Sequence, residues 1–438
     1  MKKITQIAMT ICFALNLSFA QQEKGITGET NWLDNWTSFK KEKADYGEPT
    51  HILTGTITED THLEKKHVYM LVGNVFVADS SALTIDAGTV IIGDFNSRAS
   101  LVITKGSKII AEGTDTDPII FTSNRSRKRE GDWGGIVILG DGPTNRFGNS
   151  SVANLFPNLS AAFYEHLNFG GDNSDDNSGV LKYVRIEYAG KRIGTGTYFN
   201  GLTLAGVGNA TTISNIMVSY SGGNSFEFWG GDLRLDQLVS FNASSIDFEF
   251  NYGTLSSINN SLAVRSPYAS GNNGSRCMQV LSFDDKEEVD FSKPATNVTA
   301  QNITLINRTD DLNGAIEKGL VKEALYVGEN ASLDMNKSVI SGFNPAVKFA
   351  EGVKINQENL ERIKFSEMYF NNCNGNIYVD NNPNNEDLEN WYGNSAFFNV
   401  YSKGFDAETF IGVFDAKKPD FRLRINKIIA TNDVGDND

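Results

Sequence analysis

The chain has 438 residues and a formal net charge of −15. Such an acidic chain is poorly suited to bind nucleic acid or an anionic membrane surface. After the first twenty residues, no stretch reaches the roughly 18 apolar residues of a transmembrane helix, so no membrane span is predicted. The 41 glycines and 28 phenylalanines, with many Asn, Thr and Ser residues, are typical of an all-β protein. The length allows two or three domains, yet a single solenoid can account for all of it.

Residues 1–20 have the pattern of a secretory signal peptide. Two lysines form its positive end, residues 4–17 its apolar run, and residues 18–20 a small-residue cleavage site. We therefore expect an exported protein of the periplasm, the cell surface or the extracellular space. Two cysteines follow, Cys277 and Cys373, and they are too few for a disulfide framework, so we expect separate thiols.

The stretch 81–124 holds three short strand patterns separated by turn residues. In each pattern, apolar residues alternate with small or polar ones, as in a strand with one buried face. Leu83 and Leu101 occupy matching places in LTIDAGTVI and LVITKGSKI, 18 residues apart. A unit that short cannot close its own core and must stack on copies of itself. The pattern therefore predicts a right-handed parallel β-helix.

Two strand patterns recur in the centre of the chain. Val218 and Val239 are 21 residues apart in similar segments, and the motif FEF recurs after 22 residues, at 226–228 and 248–250. Two strands that advance by nearly the same interval indicate coils on one axis, with equivalent residues roughly 4.8 Å apart. The predicted inward-facing residues are Val218, Tyr220, Val239, Phe241, Phe226, Phe228, Phe248 and Phe250.

The predicted organisation is a solenoid with a cap at each end. Residues 21–70 are assigned to an N-terminal cap with a short amphipathic helix near its start, and residues 71–350 to the β-helix. A polar, glycine-rich insertion at about 141–178 leaves the solenoid as a loop, and residues 351–438 form a C-terminal cap and tail. Caps are expected because an open end would expose core residues and unpaired strand edges.

The same alignment of coils stacks Glu227 over Glu249 with both side chains facing outward. Like charges on neighbouring strands repel, so a cation, a basic residue or water must offset the repulsion. We expect solvated carboxylates, with Ca²⁺ binding or a carboxylate pair acting on a sugar as alternatives. Trp133 and Trp229 are candidates to stack on sugar rings, with packing under a loop as the alternative.

Three acidic residues in the insertion are candidate calcium ligands. Asp172, Asp175 and Asp176 are close enough in sequence to offer several oxygens to Ca²⁺, although the glycine and glutamate of an EF-hand loop are missing. A hydrated turn is the alternative. The only basic cluster, at 125–129, is expected to be a solvated loop, with an anion or polysaccharide contact as the alternative. The glycine-rich segment 131–140 lacks a phosphate-binding signature and is expected to form a corner between coils.

Several phrases of the chain together resemble a known group of proteins: LTIDAGTVI, SKIIAEGTDTDPIIFTS, GDWGGIVILG, SGVLKYVRIEYAG and NGLTLAGVGNATTISNIMVSYSGGNSFEFWGG. They are similar to bacterial exported right-handed β-helix proteins of the pectin-lyase-like superfold, most of them uncharacterised. The resemblance runs from about Leu53 to Phe349. It implies the fold and a place in the cell envelope or outside the cell, and it implies no activity.

Two classes of function remain open for an exported β-helix. A polysaccharide lyase or glycoside hydrolase acting on acidic polysaccharide would need acids beside a base, and Arg185 with Glu187 is the nearest arrangement. A non-catalytic role fits better, because no acid pair with a neighbouring Arg or Lys recurs at coil spacing. We therefore expect a protein that binds a polysaccharide or an outer-membrane or surface protein, with no cofactor beyond the possible Ca²⁺.

Overall fold

The computed structural model describes residues 24–41, 46–148, 150–269, 275–382, 385–415 and 417–424. The predicted signal peptide at 1–20 lies outside the described residues. In the described part, none of the helices has the length and apolar composition needed to cross a membrane.

Strands dominate the chain, and its helices are short. The strands are β1 His51–Ile57, β2 Thr61–Leu63, β3 Val68–Val77, β4 Ala82–Ile85, β5 Val90–Gly93, β6 Ser100–Ile103, β7 Lys108–Glu112, β8 Ile119–Ser123, β9 Ile136–Leu139, β10 Ser150–Ser151, β11 Asn168–Phe169, β12 Gly179–Glu187, β13 Leu202–Ala205, β14 Thr212–Ser219, β15 Phe226–Trp229, β16 Asp232–Asp236, β17 Val239–Phe241, β18 Phe248–Asn251, β19 Leu255–Asn259, β20 Leu262–Arg265, β21 Met278–Val280, β22 Asn297–Gln301, β23 Thr304–Asn307, β24 Leu325–Val327, β25 Ser332–Asn336, β26 Val339–Ser341, β27 Val347–Phe349, β28 Ile363–Ser366, β29 Tyr369–Asn371, β30 Ile377–Val379, β31 Val400–Ser402, β32 Phe410–Gly412 and β33 Asp420–Leu423. The α-helices are α1 Leu312–Glu317, α2 Gln357–Arg362, α3 Glu386–Tyr392 and α4 Asp406–Thr409, and the 3₁₀ turns are Ala153–Leu155, Ala161–Leu167, Lys286–Glu288 and Ser395–Phe397.

Twenty-nine of these strands form one parallel sheet that winds into a right-handed β-helix with three faces. Strands β1, β3, β12 and β14 bend across a corner and contribute to two faces. Face A is formed by β2, β4, β7, β12, β14, β16, β19, β22, β25 and β28. Face B is formed by β1, β3, β5, β8, β12, β14, β17, β20, β23, β26, β29 and β31. Face C is formed by β1, β3, β6, β9, β13, β15, β18, β21, β24, β27 and β30.

The corner between faces A and B turns at one residue per coil. This residue adopts a positive φ, which side chains other than glycine rarely accept and asparagine tolerates best. Several asparagines of the chain therefore occupy this corner, where the backbone turns from face A to face B. The residues at this corner are Tyr183, Asn215, Gln237, Asn260, Asn302, Lys337 and Glu367.

The predicted stacking on face C is confirmed. Phe226 pairs with Phe248 and Phe228 with Phe250, and the ring centroids of these pairs lie 5.3 and 4.7 Å apart. All four rings are buried inside the solenoid. Each coil thus extends an apolar column that contributes stability at about 25 cal/mol per Å² of covered area.

On face B the prediction was wrong by one residue. Val239 pairs with Met217, and Val218 pairs with Ser240, so the interval on this face is also 22 residues. A shift of one residue moves a side chain to the opposite face of the sheet. Of the four face B residues predicted to face inward, Val218 alone points into the solenoid. The other three lie in a second apolar cluster on its outer side: Tyr220, Val239 and Phe241.

The 18-residue interval between Leu83 and Leu101 is not the length of a coil. Leu83 lies on face A and pairs with Ile109, whereas Leu101 lies on face C and pairs with Val75. Both true pairs are 26 residues apart. The similar phrases recur because different faces of one coil have the same alternation of apolar and small residues.

The N-terminal segment does not cover the end of the solenoid with a helix. Residues 24–41, which we call the strap, run in turns and extended conformation along the outer side of face B. Near its start, Lys24 Nζ donates to Phe398 O at 2.9 Å, and at its end Lys41 pairs with Glu130 at 3.2 Å. Between them, the strap bonds successive coils: Gly25 N donates to Lys337 O, Ile26 N to Thr304 Oγ1 and Thr27 N to Asn260 Oδ1.

An apolar outer surface explains why the strap is needed. Trp36 is fully buried and contacts Tyr183 edge-to-face with centroids 5.8 Å apart. Phe39 contacts Phe241 on the coils and Phe421 on β33, so the antiparallel hairpin β32–β33 packs on the same surface. The strap and the hairpin together cover a face that the coils alone would expose to water.

The coils extend beyond the range 71–350 on both sides. The parallel sheet begins with β1 at His51 and ends with β31 at Ser402. At the C-terminal end, α3 lies over the core: Leu388 and Tyr392 are buried, and Tyr392 Oη donates to Ile363 O at 2.6 Å. This helix therefore covers the end of the solenoid, where core residues and strand edges would otherwise be exposed to water.

The insertion at 141–178 is an ordered cover for face C. It contains the two-stranded sheet β10–β11 and two 3₁₀ turns. Its apolar residues pack on the outer side of the first coils and form a third cluster with Phe76, Val102, Val137 and Trp229. The segment 131–140 enters the sheet through a glycine corner, where a Cβ on Gly135 (φ 138°) would lie 2.0 Å from Asn200 O.

We expect the strap to be part of the folded core. Replacement of Trp36 by Ala should lower the free energy of unfolding by about 3–5 kcal/mol, because a fully buried indole is lost and a cavity remains. Urea unfolding followed by circular dichroism measures the change. Phe405→Ala, at a ring that is 74% exposed, is the control and should have little effect; equal losses in both variants would contradict the role of the strap.

Candidate functional site

The candidate catalytic pair Arg185 and Glu187 lies on the outer side of face B and is buried. Arg185 Nε donates to Glu187 Oε1 at 3.0 Å, and Thr122 Oγ1 donates to Glu187 Oε2 at 3.0 Å. The Arg185 guanidinium also reaches the hydroxyl of Tyr46 at 3.4 Å. Only 11% and 3% of the two side chains are exposed, so a polysaccharide cannot reach them. They form a buried ion pair within β12, which Thr122 on the neighbouring coil and Tyr46 hold by further hydrogen bonds.

The two tryptophans suggested for sugar stacking are also buried. Trp133 lies inside the solenoid, stacks on Phe121, and donates from Nε1 to Glu187 O at 2.8 Å. Trp229 points outward from face C and is covered by the insertion, where it contacts Phe169. Both rings therefore serve packing, Trp133 in the core of the solenoid and Trp229 beneath the insertion. Large apolar rings are usually buried in this way.

The stacked carboxyl groups Glu227 and Glu249 are paired in register and point outward, as predicted. The expectation that they are solvated was wrong, because only 8% and 9% of the two residues are exposed. Glu227 accepts a short hydrogen bond from the side-chain amide of Asn200. Glu249 accepts from Asn224 Nδ2 at 2.6 Å and from Gln279 Nε2 at 3.0 Å. Side-chain amides therefore donate hydrogen bonds to both carboxyl groups.

Burial changes the acidity of both carboxyl groups. Loss of water raises the pKa of Glu227 well above its usual range, and the neighbouring Glu249 charge raises it further. Burial likewise raises the pKa of Glu249 to about 7, and the charge of Asp284 adds to the effect. The raised pKa values favour a protonated form of the pair, and a proton on either group removes the repulsion between like charges on neighbouring strands.

Glu227 and Glu249 belong to a longer line of hydrogen-bonding side chains on face C, which we call the polar row. Its members follow one another in register on seven neighbouring strands, so the row is about 29 Å long. The strands before it carry Phe76, Val102 and Val137, which the insertion covers. The polar row consists of Thr203, Glu227, Glu249, Gln279, Tyr326, Lys348 and Tyr378.

Side chains from the loops flank the polar row. Asp284 accepts from Asn251 Nδ2 at 2.8 Å and from Tyr252 Oη at 2.6 Å. Arg276 forms an ion pair with Glu323 and lies over the ring of Tyr326, 4.5 Å from its centroid. The part-exposed half of the row therefore presents amide, phenol and cationic groups within one strip of surface, whereas its carboxyl groups lie beneath that surface.

Sequence reasoning missed the second half of this strip. The interval from Glu249 to Gln279 is 30 residues, and from Gln279 to Tyr326 it is 47, because loops of different length follow each coil. A search for a constant interval therefore fails after Glu249. The short alternating patterns MQV, LYV, VKF and IYV would have been the usable signal.

The candidate calcium ligands do not converge. Among the described residues, no group of three His, Cys, Asp or Glu side chains is placed to hold a metal ion. Asp176 is buried and accepts from Ser178 Oγ at 3.0 Å, whereas Asp172 and Asp175 are not buried with it. Cys277 and Cys373 are separate buried thiols, not a disulfide.

A parallel sheet wound into three faces defines the class of β-helix solenoids. In this chain, one outer side of the solenoid also carries a strip of polar groups. A family model described as a pectate-lyase-like β-helix domain matches residues 55–406, which is most of the chain. The chain therefore belongs to this family. No curated protein and no solved structure is significantly similar to it. Membership establishes the fold, and activity must be argued from the residues of the site.

The raised pKa of Glu249 predicts a pH-dependent stability. The folded chain holds this proton up to about pH 7, whereas the unfolded chain releases it near pH 4.5. The contribution of this group to stability is therefore complete below pH 4.5 and is lost as the pH rises through 7. Glu249→Gln imitates the protonated form and should reduce the loss between pH 5 and pH 8 by on the order of 2 kcal/mol. Urea unfolding at both pH values, with Glu317→Gln on the exposed side of α1 as control, tests this.

Calcium should not change the stability of the protein. The unfolding temperature in millimolar Ca²⁺ is expected to equal that in chelator, because Asp172, Asp175 and Asp176 do not form a common site. A differential scanning fluorimetry experiment in both buffers is sufficient. A rise in unfolding temperature with Ca²⁺ that disappears in Asp175→Asn would restore the calcium hypothesis.

Proposed function

We propose that this chain is an exported β-helix protein that binds a polysaccharide along the polar row without cleaving it. The observation that carries the proposal is the regular spacing of the part-exposed half of the row, since its first three members, Thr203, Glu227 and Glu249, are buried. The four part-exposed side chains that follow each other at strand spacing are Gln279, Tyr326, Lys348 and Tyr378. An extended polysaccharide presents its hydroxyl groups at a similar repeat, so each sugar ring would meet a new donor or acceptor. Tyr326 and Tyr378 add ring faces suited to sugar CH groups.

The fixed geometry of the row favours binding. Its part-exposed side chains are held by neighbours: Gln279 donates to Glu249, and Arg276 lies over the ring of Tyr326. A rigid site loses little conformational freedom when a ligand binds.

Export is supported by the leader pattern of residues 1–20, with its positive start, apolar run and small cleavage residues. The periplasm, the cell surface and the extracellular space are all compatible with it. A surface protein is the alternative partner, since a long flat face suits an extended partner as well.

A second candidate function is hydrolysis of a glycosidic bond. The specific observation in its favour is the stacked pair Glu227 and Glu249, because burial raises the pKa of both carboxyl groups and so favours a protonated form. Against it, only 8% and 9% of the two residues are exposed. A proton donor beside a second carboxyl group is what glycoside hydrolases require. A lyase has no such feature in its favour, because the acid and arginine pair suggested for it, Arg185 with Glu187, is a covered ion pair.

Affinity electrophoresis through gels containing polygalacturonate, alginate or a neutral glucan tests the binding role. We expect at least one polymer to retard the protein, and Tyr326→Ala to weaken that binding by about 1 kcal/mol, roughly fivefold. Tyr401→Ala, on face B, is the matched control and should bind like the wild type. No retardation by any of the polymers, or equal loss in both variants, would contradict the proposal.

The same polymers distinguish binding from cleavage. After long incubation we expect neither new reducing ends nor the ultraviolet absorbance of unsaturated ends. Reducing ends formed by the wild type and absent with Glu227→Gln would establish hydrolysis in place of simple binding. Unsaturated ends lost in Arg185→Ala would instead support the lyase.

A further inference from the structure

A groove of about 690 Å³ lies on the outer side of face B among its first strands. It is separate from the polar row on face C, and the strap does not line it. Its walls come from residues 46–49 and from the loop that follows β8. Two properties of its lining, an aliphatic floor and a basic rim, indicate what it can bind.

The floor of the groove is an aliphatic stripe. Ile52, Met70 and Ile92 follow one another in register on β1, β3 and β5. The stripe spans two strand spacings, about 9.6 Å. Ile52 is 62% exposed, although the chain covers most other large apolar side chains of face B. An aliphatic surface without hydrogen-bonding groups is unsuited to sugar hydroxyls, whose loss of water it would not offset.

The rim of the groove is basic in an otherwise strongly acidic protein. The loop 125–129 has four cationic residues among five, and Arg125 and Lys128 line the groove together with Ser123, Asn124 and Ser126. Arg125 is paired with Asp132 at 3.2 Å. No ion pair holds Lys128 within the described ranges of the chain. Among the lining residues that the structure describes, Glu48 is the only acidic one, against Arg125 and Lys128.

We propose that this groove binds a free fatty acid, with the alkyl chain on Ile52, Met70 and Ile92 and the carboxylate beside Lys128. The stripe takes up the apolar chain because its burial removes aliphatic surface of both partners from water. The ammonium group selects a negative head group, and the exposed hydroxyl of Ser126 at the rim can donate a hydrogen bond to it. The overall charge of −15 makes such a local basic rim necessary for an anionic ligand.

Isothermal titration of the full exported chain with laurate tests the proposal. We expect saturable binding of one laurate per chain. Lys128→Glu should weaken it about tenfold or more, as loss of a hydrogen bond to a charged group does. Ile52→Asp should weaken it by a similar factor because it places a charge under the alkyl chain. Glu48→Gln should tighten binding, because it removes the negative charge in the lining.

Matched controls separate this groove from general effects of charge and surface. Lys318→Glu at the end of α1 and Ile411→Asp on β32 change exposed residues of the same type and should bind laurate as the wild type does. Circular dichroism establishes that each variant is folded. Absence of saturable laurate binding by the wild type would overturn the proposal. Equal affinity of the wild type, Lys128→Glu and Ile52→Asp, or equal binding of dodecyltrimethylammonium, would overturn it as well.

Discussion

The structure depends on the parallel pairing of each strand with the equivalent strand one coil away. This pairing satisfies the backbone groups and places like residues above like along the axis. For apolar residues the result is favourable, as the stacked rings of Phe226 and Phe248 show. For charged residues it is unfavourable, and Glu227 over Glu249 is tolerated because amide donors surround the pair and burial favours a proton on it. The same constraint thus produces both the core and the most distinctive chemistry of the surface.

The outer sides of the three faces differ in how they are covered. On face B, Met217, Val239 and Phe241 point outward, and the strap and the β32–β33 hairpin bury them. On face C, the insertion buries the outward residues of the first coils. Segments that leave the regular coils therefore act as covers for apolar rows that the solenoid itself cannot bury. Where those covers end, the outward residues become polar, as in the polar row, or remain exposed, as at Ile52.

This distribution concentrates the candidate functions at two places. The polar row offers a rigid strip of donors and acceptors whose length suits an extended polymer. The groove at the start of face B offers an aliphatic floor next to the cationic side chains of Arg125 and Lys128. The two sites lie on different faces and differ in chemistry, so the loss of one leaves the argument for the other intact. A solenoid supports such independence because each coil contacts only its neighbours.

The sequence by itself was sufficient for the class of fold, the inward rows on face C and the stacking of Glu227 on Glu249. These features depend on strand alternation and on a local interval, both of which are visible in the order of residues. The register of face B was missed by one residue, because Met217-Val218 and Val239-Ser240 offer two alignments of similar apolar character. Only the tertiary structure decided that the strap crosses the coils, that Arg185 and Trp133 are buried, and that Gln279, Tyr326 and Lys348 continue the polar row. Those facts depend on contacts between residues separated by loops of unequal length, and sequence spacing does not encode such contacts.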